Sequence, residues 1–143
     1  MIARQSTEKL VSAMTDKQLR IRAAELIGLT GIKRSSITGR MLYNYVSDNS
    51  GFGRGEGGAD LPDYPNNLTA AWELVFFIED KYRMELKSPF EKGESYHAGF
   101  TPLSTTGWNG RPDNQMPGRI PAKAITRAFI LTMEMELIQG EQA

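Results

Sequence analysis

The chain has 143 residues, 40% hydrophobic and 24% charged, with 17 basic and 17 acidic side chains, a composition ordinary for a single globular domain able to bury its own core. It has no cysteine and one histidine, His97, which excludes disulfides, cysteine catalysis, thiolate metal sites and a multi-histidine metal site within one chain. No apolar run approaches the ~20 residues that span a bilayer. The N-terminus, Met1-Ile-Ala-Arg-Gln-Ser-Thr-Glu, lacks the apolar stretch of a signal peptide, so the expectation is a cytoplasmic protein with no membrane partner.

Thr7 to Met14 carries the sparse pattern of a short helix. A clearer one starts at Thr15 or Asp16, either of which can cap the following amides. Leu19, Ala23, Leu26 and Ile27 form its apolar stripe, and Gly28 and Gly31 end it. Lys33-Arg34-Ser35-Ser36 reads as a polar connector. Met41 to Val46, rich in aromatic and β-favouring residues, reads as a strand. Residues 48–67 read as a long loop, and Asn66 or Asn67 then caps a helix in which Leu68, Ala71, Trp72, Val75, Phe76 and Glu79 recur at helical spacing; Leu74, Phe77 and Ile78 widen its apolar arc, so it is expected to be buried on more than one side. Alternation over 84–88 and 95–101 predicts a hairpin, with the turn at Pro89 to Gly93. A second long loop covers 102–120. Pro121 then opens a closing helix that is apolar on two faces, one with Ile125, Ala128, Phe129, Thr132 and Met133, the other with Ala124, Leu131, Met135 and Ile138. Such a helix is either central to the fold or part of an oligomer interface. The expected core includes Trp72, Val75, Phe76, Ile125, Ala128 and Phe129, and the closing helix is expected to contribute to a homo-oligomer.

The charges are segregated along the chain. Lys17 to Arg54 holds seven basic residues against Glu25 and Asp48, a net +5, whereas Gly55 to Phe100 holds nine acids against four bases, a net −5. Such asymmetry can orient partners or self-association, and two solvated faces that cancel explain it as well. A chain neutral overall lacks the basic footprint that duplex nucleic-acid binding relies on.

Three stretches carry a resemblance. Thr15-Asp16-Lys17-Gln18-Leu19 through Ala24-Glu25-Leu26-Ile27-Gly28, Tyr64-Pro65-Asn66-Asn67-Leu68-Thr69-Ala70-Ala71-Trp72-Glu73-Leu74-Val75, and Ile120-Pro121-Ala122-Lys123-Ala124-Ile125-Thr126-Arg127-Ala128 are similar to the opening helix, the central loop-to-helix entry and the closing helix of the phage α-β-α sandwich domain family. That family comprises small phage and prophage proteins. The resemblance spans about two thirds of the chain. It implies a single α+β domain over residues 1–143, with a small, mainly antiparallel sheet sandwiched by helices in the order helix, strand, helix, hairpin, helix. It also implies a phage origin and a setting in the host cytoplasm. It supplies no catalytic residue to carry onto this chain. Residues 47–63 and 102–120 depart from the family pattern as enlarged loops, and loops on a rigid scaffold are where function concentrates.

Gly53-Arg54-Gly55-Glu56-Gly57-Gly58 matches the bare dinucleotide-binding glycine pattern. That motif works when a strand feeds directly into a helix whose N-terminus meets the pyrophosphate. Here nine further residues, including Pro62 and Pro65, precede the helix. The glycines instead make either a mobile loop or one that orders on a ligand, bringing Phe52 and Arg54 to it. Trp108-Asn109-Gly110-Arg111 places an indole, an amide and a guanidinium together, a set that can stack a base, bond its edge and hold a phosphate. Asn109-Gly110 is equally a tight-turn dipeptide, and Trp108 can fold back over the core. Tyr43 and Tyr45 share a strand face near Arg40 in the manner of a stacking platform for single-stranded RNA. Cross-strand packing explains them as easily, and helices on both sides of the sheet leave no free face.

His97 has no nucleophile or pKa-setting partner in the sequence, and reads as a surface or satisfied strand histidine. Glu134, Glu136 and Glu141 lack metal-ligand spacing and read as solvent-facing. No catalytic residue, metal or cofactor is assigned. The expectation is a non-enzymatic phage binding protein directed against host defence, sequestering a small nucleotide signal through Phe52, Arg54, Trp108, Asn109 and Arg111. The alternatives are direct inhibition of a host defence protein through the same loops, a phosphodiesterase-like enzyme using His97 or loop carboxylates, and a single-strand nucleic-acid binder.

Overall fold

A computed structural model describes residues 2–46, 56–89, 91, 94–103 and 115–142. Its elements are α1 (Ile2–Ala13), α2 (Asp16–Leu26), β1 (Lys33–Arg34), β2 (Met41–Val46), β3 (Glu56–Asp60), α3 (Leu68–Ile78), β4 (Tyr82–Lys87), β5 (Tyr96–Pro102), β6 (Met116–Gly118) and α4 (Pro121–Gln142). The fold is α+β, with helices flanking antiparallel sheets. Two three-stranded sheets, β1-β2-β3 and β4-β5-β6, stand where one was expected. Part of each expected long loop is a strand: Glu56–Asp60 pairs with β2, and Met116–Gly118 pairs with β5. Lys33–Arg34, expected as a connector, forms the short edge strand β1. The hairpin of β4 and β5 forms as expected, with Met84 opposite Phe100 and Leu86 opposite Ala98.

Local chemistry sets the helix ends. Thr15 caps α2 in a reciprocal box: its hydroxyl accepts from the Gln18 N–H at 3.2 Å, and Gln18 Oε1 accepts from the Thr15 N–H at 2.9 Å. Gly28, at φ 95°, closes the helix. The Gly28 N–H bonds the Glu25 carbonyl and the Leu29 N–H the Ala24 carbonyl, both at 3.0 Å. Asn67 caps α3 by accepting from the Ala70 N–H at 3.0 Å.

Helix α4 is the centre. It contacts α1, α2, α3, β5 and β6, and Ala124, Ile125, Ala128, Phe129, Ile130 and Leu131 are wholly buried. Both of its apolar faces are therefore covered within the chain from Ala122 to Met135. Of the two roles open to such a helix, the central one is realised. The interior leaves no outside partner for Thr126 and Thr132, whose hydroxyls donate to the carbonyls of Ala122 and Ala128 one turn earlier, each at 2.8 Å. Two ion pairs bind α2 alongside: Lys123 Nζ to Asp16 Oδ1 at 2.9 Å near the start of both helices, and Arg22 to Glu134 further along both, so the two run in the same direction. Strand β6 comes so close to the first turn of α4 that a Cβ on Gly118 would overlap the backbone of Ala124.

Helix α3 meets α4 through Ala70, Ala71, Leu74, Val75 and Ile78. This corrects the expected core at two positions. Trp72 is half-buried, and Phe76 is 61% exposed. The small side chains of Ala70 and Ala71 let the helix axes approach, and the face carrying them turns inward in preference to the bulkier aromatic one. Val75, Ile125, Ala128 and Phe129 are buried as expected.

Truncation should separate the two kinds of phenylalanine. Phe129→Ala is expected to cost ~3–5 kcal/mol in denaturant unfolding, and Phe76→Ala to stay within about 0.5 kcal/mol. Gly118→Ala, with backbone in its way, should cost about 2–3 kcal/mol by the same measurement.

Candidate functional site

The sheet formed by β1, β2 and β3 builds a stem. β2 and β3 pair antiparallel from Leu42 opposite Asp60 to Val46 opposite Glu56, so the ends of the stretch 47–55 are fixed one strand apart. Gly57 and Gly58 stand opposite Tyr45 and Asn44 in this register. A glycine-rich strand is tolerated at a sheet edge, which is where β3 lies. The base of the stem is tied down. Arg40 pairs with Asp60, and the Leu61 N–H donates to the Met41 carbonyl at 2.9 Å. Arg20 reaches from α2 to donate through Nε to the carbonyls of Leu61 at 3.0 Å and Pro62 at 3.2 Å. Tyr43 is half-buried and packs against the core, as cross-strand packing had it.

In the second sheet, β6 pairs only with the first half of β5, from Tyr96 opposite Gly118 to Ala98 opposite Met116. The stretch 104–114 therefore leaves one end of β5 and rejoins the sheet beside its other half. At the point of departure, the Leu103 N–H donates to the Lys81 carbonyl at 2.9 Å. The five residues proposed from sequence as ligand-binding (Phe52, Arg54, Trp108, Asn109 and Arg111) lie outside the described residues. The structure describes the strands that carry them.

His97 is exposed on β5, with Lys87 and Pro117 opposite it on the neighbouring strands. Among the described residues no group of three His, Cys, Asp or Glu side chains is placed to hold a metal ion. Glu134 and Glu136 correct the sequence reading. They are not freely solvated: Glu134 accepts from Arg22 Nε at 2.9 Å and Glu136 from the Tyr82 hydroxyl at 2.6 Å. Burial pushes the Tyr82 phenol above its ordinary range, and its bond to Glu136 and that carboxylate's charge push it further. Burial does the same to Tyr64, helped by the charge of Glu73. Lys123, bonded to Asp16, holds that carboxyl below its usual range, against the opposing effect of burial.

Two further features were not singled out from sequence. A cleft of about 440 Å³ between α1 and α2 is lined by Leu10, Ala13, Met14, Ile21, Arg22 and Glu25. Its volume suits a small ligand, but the Arg22 guanidinium on its rim is already engaged by Glu134 and Glu25. The other is the outer face of α3, where Leu68 and Phe76 are exposed in line with half-buried Trp72, and Phe77 is exposed beside them. Trp72 and Phe76 stack with ring centres 6.2 Å apart, and Phe77 meets Phe129 edge-on at 6.3 Å. This corrects the expectation that the wide apolar arc of the helix is buried on more than one side: Leu68, Phe76 and Phe77 are exposed.

No protein-family model matches the chain, and no curated protein matches it in sequence. Among solved structures, the chain is similar to a phage protein from Bacillus cereus ATCC 14579, known from a 2.0 Å crystal structure. The TM-score is 0.54 at 16% identity, over 85% of this chain and 90% of that one. At that identity the likeness establishes a shared fold.

The Tyr82–Glu136 bond gives a pH signature. A phenol raised in the folded state contributes stability that is present below the unfolded value near ~10 and is lost as pH rises above it. Tyr82→Phe should lower stability by about 1–2 kcal/mol at neutral pH, through the lost bond to a carboxylate. The same variant should lose less stability than the parent between about pH 9 and 11, as read from melting temperatures across that range.

Proposed function

We propose that this chain is a small phage accessory protein of the α-β-α sandwich type that binds a ligand without transforming it, and that it acts in the host cytoplasm as a counter-defence factor. In its most concrete form the ligand is a nucleotide-type signal held out of solution. Phe52 and Trp108 would stack the base, Asn109 would bond its edge, and Arg54 and Arg111 would hold its phosphates. The phage setting draws on the fold shared with the Bacillus cereus phage protein. The observation that carries the binding reading is the β2–β3 register. With Val46 opposite Glu56, the stretch holding Phe52 and Arg54 starts and ends on a two-stranded stem anchored by Arg20 and Arg40. Binding residues concentrate on connections held by such rigid supports.

The test is a melting-temperature screen of the full chain against a panel of mono-, di- and cyclic oligonucleotides. A ligand at a hundredfold excess over its Kd stabilises by ~2.7 kcal/mol, which for a chain of this size is a rise of roughly 5–10 °C. Arg54→Ala and Trp108→Ala should each remove most of that rise. Ligand recovered intact after denaturing the complex supports sequestration, and cleaved ligand turns the assignment to a phosphodiesterase. If no nucleotide shifts the melting temperature and a host defence protein co-purifies, the chain inhibits that protein directly. A salt-sensitive gel shift with single-stranded nucleic acid would give the site to that polymer instead.

A further inference from the structure

The turn between β1 and β2 is a small rigid tip. The Ser35 N–H donates to the Arg40 carbonyl at 2.8 Å, and the Gly39 N–H to the Ser35 carbonyl at 2.9 Å. The Ser35 hydroxyl also accepts from the N–H groups of Ile37 at 3.3 Å and Thr38 at 3.2 Å. This network holds Ile37 at the apex, 92% exposed. Lys33, Arg34 and Arg40 flank it and are exposed, and among the described residues Lys33 and Arg34 make no ion pair. An isolated exposed isoleucine is unremarkable on its own. One held out on a self-bonded turn between cations matters when the same molecule carries its complement.

The outer face of α3 is that complement. Leu68, Trp72 and Phe76 recur every four residues, giving an apolar stripe about 12 Å long at 1.5 Å per residue. Phe77 widens it, at 48% exposure. Glu73, Glu79 and Asp80 border it, all exposed and without an ion pair among the described residues. A two-stranded tip, with strands ~4.8 Å apart and side chains to either side, is about as wide as that stripe is long. Ile37, Leu68, Phe76 and Phe77 are all exposed within one chain, so neither surface is covered there by the other.

We propose that copies of this chain assemble head to tail, with the β1–β2 tip of one seated on the outer face of α3 in the next. Ile37 enters the Trp72–Phe76–Phe77 surface while Lys33 and Arg34 meet Glu73, Glu79 and Asp80. The occupant follows from complementarity of both apolarity and charge. The contact joins two different surfaces, so it closes into a ring or extends as a chain. A tip on one helix face buries less than the ~1,200 Å² of a standard stable interface, so the assembly is concentration-dependent in the micromolar range.

Light scattering and sedimentation of the full chain from about 10 to 300 μM, at about 50 and 500 mM salt, test this. The average mass should rise above the monomer with concentration, and the apparent association should weaken at least about fivefold at the higher salt, because exposed charges are screened there. Ile37→Asp and Phe76→Ser alter exposed side chains and should each stay monomeric with unchanged circular dichroism. Mixed one to one, they should form a heterodimer and stop there, because one variant keeps an intact α3 face and the other an intact tip. Should either variant misfold, Arg34→Glu and Glu73→Arg replace them, each impaired alone and restored on mixing. A wild-type chain monomeric throughout, assembly unaffected by Ile37→Asp, or variants that never pair would each overturn the proposal.

Discussion

Everything in this fold depends on α4 being surrounded. A 22-residue helix that contacts three helices and two strands must find a partner for every polar group it buries, because an unpaired buried polar group costs about 1–3 kcal/mol. The sequence meets that constraint with alanines at 122, 124 and 128 for close approach, branched and aromatic side chains at 125 and 129–131 for volume, and two threonines whose hydroxyls bond back into their own helix. The same demand for closeness excludes a side chain at Gly118. Among the described residues, the ion pairs of α4 lie where it borders α2, through side chains still partly reached by solvent. There they fix the direction in which the two helices run more than they add stability.

Centring the fold on α4 decides what α3 can do. Only one side of α3 faces α4, and the side with the alanine pair fits most closely. The remaining aromatics are left half-buried or exposed. Trp72 and Phe76 stack on each other, and Phe77 meets the buried Phe129 edge-on. The exposed aromatic surface is thus a consequence of packing order: α4 takes the small face, and a helix apolar nearly all round is left with a surplus. Natural surfaces rarely keep such a contiguous surplus without a use.

What could be read from the residues in advance was whatever local chemistry determines. The α2 cap, expected at Thr15 or Asp16, the α3 cap, expected at Asn66 or Asn67, the Gly28 stop and the alternation of the β4–β5 hairpin depend on neighbours within a few residues; the caps are Thr15 and Asn67, and the stop and hairpin stand where the sequence put them. β3 and β6 were not legible. Glu56-Gly-Gly-Ala-Asp and Met116-Pro-Gly have almost no intrinsic strand preference, and both become strands because β2 and β5 offer them an edge. Pro117, which lacks an N–H, is at home there for that reason. The α3 register failed for a different cause: its periodicity allows two apolar faces, and choosing between them needs the partner helix. Of the candidate site, the sequence supplied the residues and the structure supplies the stem that carries Phe52 and Arg54, because a ligand set is a matter of side-chain type whereas its support is a matter of strand pairing.

The charge segregation along the chain gains a physical meaning once the ion pairs are located. If the basic first half and the acidic middle were meant to cancel inside one molecule, the fold would bring them together. Arg40 with Asp60 is the single pair among the described residues that does so. Lys123 with Asp16 and Arg22 with Glu134 draw instead on the closing helix, and Arg22 with Glu25 is internal to α2. Lys33 and Arg34 on one side, and Glu73, Glu79 and Asp80 on the other, are left exposed and without an ion pair among the described residues. Opposite charges kept apart within a chain are available to be joined between chains. Because each set also borders an exposed apolar group, the attraction that steers an encounter is placed beside the surface that would hold it.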